Sequence, residues 1–231
     1  MKPPRHVLKR VQKLERRKYH PILHHIHKKH HISKRTLFYI KEYGPHSHIP
    51  RTIIKESIKI LILASIISSL GGLAFEQIKI LFISIVPLVI LFPTLNDMIG
   101  DYGGIVSSKF STLLHEGKIK EKWWKNKEIM RLGTQIIMIA MCTATISTGL
   151  SFMIAAFAHY TLTLKAMEKI MLIILVDVIL LVTTIFLIAM YAGLYFWRKQ
   201  EDPNNFLIPL TTSIADFGNM IVLALLVKWF F

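Results

Sequence analysis

One cysteine in 231 residues, Cys142, leaves this chain without an intramolecular disulfide and without a cysteine-based zinc site. Acids are scarce as well, 14 Asp and Glu against 29 Lys and Arg, for a formal net charge of +15. The imbalance is local. Residues 1–52 hold fourteen Lys and Arg and only two acids, Glu15 and Glu42, so twelve units of net charge belong to this arm and the remainder is near balance. The arm also lacks a short apolar core followed by a small-residue cleavage site, so it does not read as a signal peptide. What is abundant is apolar: 52% of residues are hydrophobic and the mean hydropathy is +0.45, too apolar for an ordinary soluble domain.

Gaps between charges mark five candidate spans, at about 58–75, from 78 onward, 132–158, 170–196 and 206–229. A helix needs about 20 apolar residues to cross the hydrocarbon core. The fold class expected is therefore all-α, a polytopic membrane protein with five transmembrane helices. The chain divides into a basic, His-rich cytoplasmic arm (1–52) and a five-span transport domain (53–231). Lys118, Lys120, Lys122, Lys125, Lys127 and Arg131 follow the second span, and Arg198 and Lys199 follow the fourth. The other links hold only Lys79, or Lys165 and Lys169. The positive-inside rule then places the N-terminus in the cytoplasm and the C-terminus outside, in the cell membrane.

The second span reads as broken and Gly/Pro-rich. Pro87 and Pro93 interrupt it, and Asp97, Asp101, Gly104, Ser108, Ser111 and His115 then recur at helical spacing with Gly100 and Gly103 among them. Interrupted spans of this kind are tolerated at membrane depth where they line a cavity. The competing reading ends the span at Pro93 and makes 94–117 a cytoplasmic helix. A second polar stripe runs through the fifth span: Asp202, Asn205, Pro209, Thr212, Asp216 and Asn219, with Phe206, Leu210, Ile214, Phe217, Ile221 and Leu225 opposite. An acid at bilayer depth either bonds a neighbouring helix or marks a substrate route. The Asn and Thr beside Asp216 favour the route.

These two stretches resemble MgtE-type magnesium transporters and their eukaryotic solute-carrier relatives. Phe92-Pro93-Thr94-Leu95, Gly100-Asp101-Tyr102-Gly103-Gly104, Ser108-Lys109-Phe110-Ser111-Thr112 and Gly117 are similar to that family's second span. Its Gly-Asn pair reads Gly100-Asp101 here, which adds an acid. Asp202-Pro203, Pro209, Thr211-Thr212 and Asp216 follow the order of its last span. The resemblance implies a homodimer whose ion path lies at the subunit interface, lined by the second and fifth spans, with Asp216 binding the ion. Bacterial members carry large cytoplasmic sensing domains before the first span, where this sequence shows its basic arm.

The residues themselves suit a hard cation. Mg²⁺ prefers oxygen, keeps several waters and binds through one or two carboxylates. Asp216, Asp97, Asp101, Thr212 and Asn219 supply oxygen, and no Cys or Met cluster lies on the stripes. The expected activity is divalent cation transport, most of all of Mg²⁺ as the transported ion, with no cofactor and no enzymatic reaction. Pro93, Gly100, Gly103, Gly104, Pro209 and Asp202 are read as lining or structural. The alternatives are a sodium- or proton-coupled exchanger of another cation, or a five-span membrane insertase or scaffold.

Asp177 interrupts the fourth span and leans structural. Ser65, Ser68, Ser69 and Gly72 of the first read as residues permitting close helix packing. In the arm, nine of the eleven histidines and a short apolar face (Val7, Leu8, Val11, Leu14) read first as contact with anionic lipid of the inner leaflet. Metal binding by the histidines ranks second, and nothing resembles a nucleic-acid-binding fold.

Overall fold

The computed structural model describes residues 49–119, 123–199 and 202–231. The arm readings, lipid contact and metal binding at 1–48, fall outside them. Every regular element is helical among the described residues. The order is α1 (Ile49–Glu76), the short α2 (Lys79–Ser84), α3 (Val86–His115), a 3₁₀ turn (Trp123–Lys125), α4 (Lys127–Phe157), α5 (Leu164–Arg198) and α6 (Pro203–Phe230).

Local chemistry sets the boundaries. Asn126 opens α4 by accepting from the N–H groups of Glu128 and Ile129, Thr163 opens α5 through Ala166, and Asp202 opens α6 through Asn204 with Pro203 in the first turn. At the end of α3, Gly117 takes φ +71, which lets Gly117 N–H and Lys118 N–H reach back to Leu114 and Leu113 carbonyls. The α2–α3 break lies at Ile85 (φ −107, ψ 80), just ahead of Pro87. The expected interruption at Pro93 does not occur: α3 runs through it for 30 residues, about 45 Å at 1.5 Å per residue.

Among the described residues, four segments are long and apolar enough to cross a membrane: Ser57–Glu76 within α1, and the whole of α4, α5 and α6. Helix α3, where the second span is expected, is not among them: Asn96, Asp97, Asp101, Ser107, Ser108, Lys109 and Ser111 dilute its apolar residues. Even so, α3 packs along the others. Asn96 meets Asn219, a Cβ on Gly103 would meet Thr211 at 3.0 Å, and a Cβ on Gly193 would meet both Phe110 and Leu207. These pairs run α3 antiparallel to α6; Gly193 beside Leu207 and Leu181 beside Gly218 do the same for α5, and Tyr102 bonding Thr143, with Tyr160 donating to Ser84 O, sets α3 antiparallel to α4. The core joins Leu88, Leu95, Ile99 and Phe110 of α3 to Ile174, Val178 and Ile185 of α5 and to Leu207 and Leu223 of α6, all fully or almost fully buried.

Helix α1 stands apart, laid along α6 with Ile62, Ile66 and Leu73 exposed. A Cβ on Gly71 would meet Met220 Sδ at 2.8 Å and Phe217 Cα at 3.1 Å, whereas Gly72 faces open space. Close packing thus falls to Gly71 rather than to Gly72, the neighbour chosen from sequence. Phe75 stacks on Phe92 at 4.6 Å and ties the end of α1 to α3.

Asp177 lies in the middle of α5, completely buried, and neither carboxyl oxygen has a hydrogen-bond partner among the described residues. An unsatisfied buried polar group costs about 1–3 kcal/mol. Asp177→Leu is therefore expected to stabilise the bundle by about that amount, read as a higher melting temperature in detergent, and Asp177→Asn to leave it near the parent value. Destabilisation by Leu would show that the carboxyl is held by something the protein needs.

Candidate functional site

Small and polar residues of α3 and α6 meet along a seam between the two helices, beside the polar stripes rather than along them. Going down α3 and up α6, Asn96 pairs with Asn219, a Cβ on Gly100 would touch Thr212 Cγ2 at 3.4 Å, and Ser107 Oγ lies 3.4 Å from Thr211 Oγ1. Small residues at 100 and 103 bring the backbones this close. Gly104, one position on, meets nothing within 4 Å and is no part of the contact.

Helix geometry divides α6 among its neighbours. At about 100° per residue, Thr211 and Asn219 turn toward α3, Phe217 and Met220 toward α1, and Leu207 and Gly218 toward α5. Between the α1 and α3 faces lie Asn205, Pro209, Thr212 and Asp216. By the same angle these four line the floor between α1 and α3, a groove beside which Pro93, Asp97 and Gly104 fall on the near flank of α3. Thr212, Pro93 and Asp97 are exposed, and Asn205, Pro209, Gly104 and Asp216 are half-buried.

Asp216 is the best-held acid of the groove. Its Oδ2 accepts a 2.8 Å hydrogen bond from Ser68 Oγ of α1, across 148 residues of sequence. No Lys, Arg or His forms an ion pair with Asp216, Asp97 or Asp101 among the described residues. The ion pairs described are Lys79–Glu76, Lys118–Glu116 and Lys118–Glu128. Outside the spans, the Glu116 hydrogen bond, followed by the charges of Glu116 and Glu128, holds the Lys118 ammonium above its ordinary pKa.

The sequence-predicted residues divide accordingly. Asp216, Thr212, Asp97, Pro93, Pro209 and Gly104 share the groove. Asp101 is exposed further round α3, on the side away from α6. Asn219 leaves the stripe: it is fully buried, its Nδ2 donates to Asn96 Oδ1, and its own Oδ1 has no partner. Three residues are 300° of turn, and that 60° shortfall from a full circle carries Asn219 out of the groove into the seam. Gly100 and Gly103 pack the seam as well, Ser111 is buried, and His115 stacks edge-on against Trp197 at 4.7 Å. Asp202 is the N-cap of α6. Among the described residues no three His, Cys, Asp or Glu side chains gather into a metal-ligand cluster. The residue that sequence reasoning undervalued is Ser68, whose spacing signalled packing only.

The polar seam and groove, α3 and α6, coincide with a match to the family model "MgtE: Divalent cation transporter", which covers residues 92–226, more than half of the chain. The chain belongs to the MgtE divalent cation transporter family. Solute carrier family 41 member 2 of Homo sapiens is 24% identical over 188 residues, 76% of this chain. The Mus musculus protein is 25% identical over 188 residues, and the Gallus gallus protein 25% over 187. The chain spans about a third (32%) of the length of these relatives. No solved structure matches it. Within the MgtE match lie Asp97, Asp101, Thr212 and Asp216; Ser68 lies before its first residue.

Proposed function

We propose that this protein moves a divalent cation, Mg²⁺ above all, across the membrane along the groove between α1 and α3, with Asp216 as its membrane-depth ligand. Asp216 carries the reading. It sits at the middle of α6, half-buried, on a groove floor it shares with Thr212, and no cation of the protein neutralises it among the described residues. An unpaired acid at this depth is costly and marks an ion route. Family membership supports a transporter rather than an enzyme.

Five crossings fit this reading. Helix α3 runs beside α4, α5 and α6 in alternating direction, with polar residues in the seam, on the groove side and on an exposed face beyond it. Five antiparallel crossings put the N-terminus in the cytoplasm, where the basic residues concentrate. A second copy of the chain completes the path. Thr94, Asp97, Asp101 and Thr112 form an exposed polar face on α3 that lipid would not solvate, and a two-fold partner presenting the same face would enclose it.

The test is uptake into proteoliposomes loaded with a Mg²⁺-sensitive dye, with and without a sodium or proton gradient. Uptake driven by the Mg²⁺ gradient alone is the expected result. Strict dependence on a counter-gradient would make the protein an exchanger, and absence of any divalent cation flux would overturn the proposal.

A further inference from the structure

The two neighbouring serines of α1 use their hydroxyls differently. Ser69 returns its O–H to its own helix, at Ser65 O, 2.8 Å away, as serines in helices commonly do. Ser68 instead donates across the bundle to Asp216 Oδ2 at the same length. One turn on, Gly71 lets α1 approach the α6 backbone at Phe217, so the serine is held at bonding distance by packing rather than by chance. Asp216 Oδ1 accepts no hydrogen bond among the described residues.

We infer that Ser68 is a specificity-determining residue: by donating to Oδ2 it takes one of that oxygen's lone pairs and fixes the carboxylate, which favours ligation of the cation through Oδ1 alone over ligation through both oxygens. The inference rests on Asp216 being the ion ligand proposed above. Mg²⁺ is small, demands near-octahedral geometry at about 2.1 Å, and retains its water, so one carboxylate oxygen among waters suits it. Ca²⁺ is larger, takes six to eight oxygens at about 2.3–2.6 Å, and readily uses both oxygens of one carboxylate. A carboxylate whose second oxygen already carries a hydrogen bond is a poorer two-oxygen ligand for Ca²⁺, while one-oxygen ligation of Mg²⁺ is undisturbed. Ser68 touches neither the ion nor its water. It acts through the carboxylate, by positioning it.

The experiment compares Ser68→Thr with Ser68→Val in the full chain in proteoliposomes, because the two side chains have the same shape and differ by the hydroxyl. Initial uptake rates of Mg²⁺ and Ca²⁺, each alone and in competition, give KM, maximal rate and preference. Ser68→Thr is expected to keep the parent preference. Ser68→Val is expected to raise the KM for Mg²⁺ by roughly 10-fold, the equilibrium worth of one hydrogen bond to a charged group, and to shift the preference toward Ca²⁺ by a similar factor. A packing role alone would move both variants together and leave the ratio of the two ions unchanged. If the extra methyl prevents membrane insertion, Ser68→Ala against the parent carries the same comparison. Equal ion preference with and without the hydroxyl, in a protein that Asp216→Asn inactivates, overturns the role of Ser68 and leaves the path standing. A parent protein that carries no divalent cation removes both.

Discussion

Asp216→Asn is expected to abolish Mg²⁺ uptake while the bundle still folds. The substitution keeps the side chain's shape and an oxygen that can accept the 2.8 Å hydrogen bond from Ser68, so the α1–α6 contact persists. What it removes is the charge facing a divalent ion in a region of low dielectric. With an effective dielectric constant of about 20, that attraction is worth several kcal/mol at contact, and each 1.36 kcal/mol is tenfold in rate. A loss of at least about 100-fold in initial uptake rate follows. Asp216→Glu should retain partial activity with altered ion preference. If Asp216→Asn melts at the parent temperature and transports at the parent rate, the acid is a structural hydrogen-bonding group and the path lies elsewhere.

The adjacent glycines of α3 should respond in opposite directions. A Cβ at Gly103 would lie 3.0 Å from Thr211 Cβ and 3.2 Å from Ile185 Cγ2, between two helices, while a Cβ at Gly104 would meet nothing within 4 Å. Gly103→Val is expected to push α3 off α6 and to cost about 1–3 kcal/mol or more, with loss of uptake because the groove wall moves. Gly104→Ala is expected to be neutral or to stabilise by up to about 1 kcal/mol, since alanine is the better helix former. Melting temperature in detergent and uptake in proteoliposomes check both. Equal tolerance at the two positions would show that α3 and α6 are not packed through Gly103.

How far the sequence discloses this molecule depends on what each residue's signal is made of. Apolar length is a local property, and α4, α5 and α6 follow the spans read from it, each extended by a few capped residues. The polar stripe of α6 was legible from spacing because a helix turns by a fixed angle, and Thr212 and Asp216 share the groove for that reason. Asn219 stands where the same arithmetic is ambiguous: it falls 60° short of Asp216 on the side of α3, and its bond to Asn96 takes it into the seam. Proline misled at residue 93. Its missing N–H removes one rung of the ladder, but burial of Leu88, Leu91 and Leu95 in the core holds the helix through it. Gly71 and Gly72 could not be told apart by composition, since the choice depends on where Met220 and Phe217 sit. Ser68 carries no sequence signal for its role, because a hydrogen bond to a residue 148 positions away is a property of the assembled bundle.

That same separation has a bearing on how the protein is made. Helix α1 packs against α6, so a ribosome extending the chain by about 5–20 residues per second delivers Ser68 roughly 7–30 s before Asp216 exists. Until α6 has been made, Ser68 and Gly71 lack the partners they meet in the folded bundle, Asp216 and the Phe217–Met220 stretch. The helix that fixes the acid's geometry is thus synthesised early and docked late, after every other helix of the bundle exists.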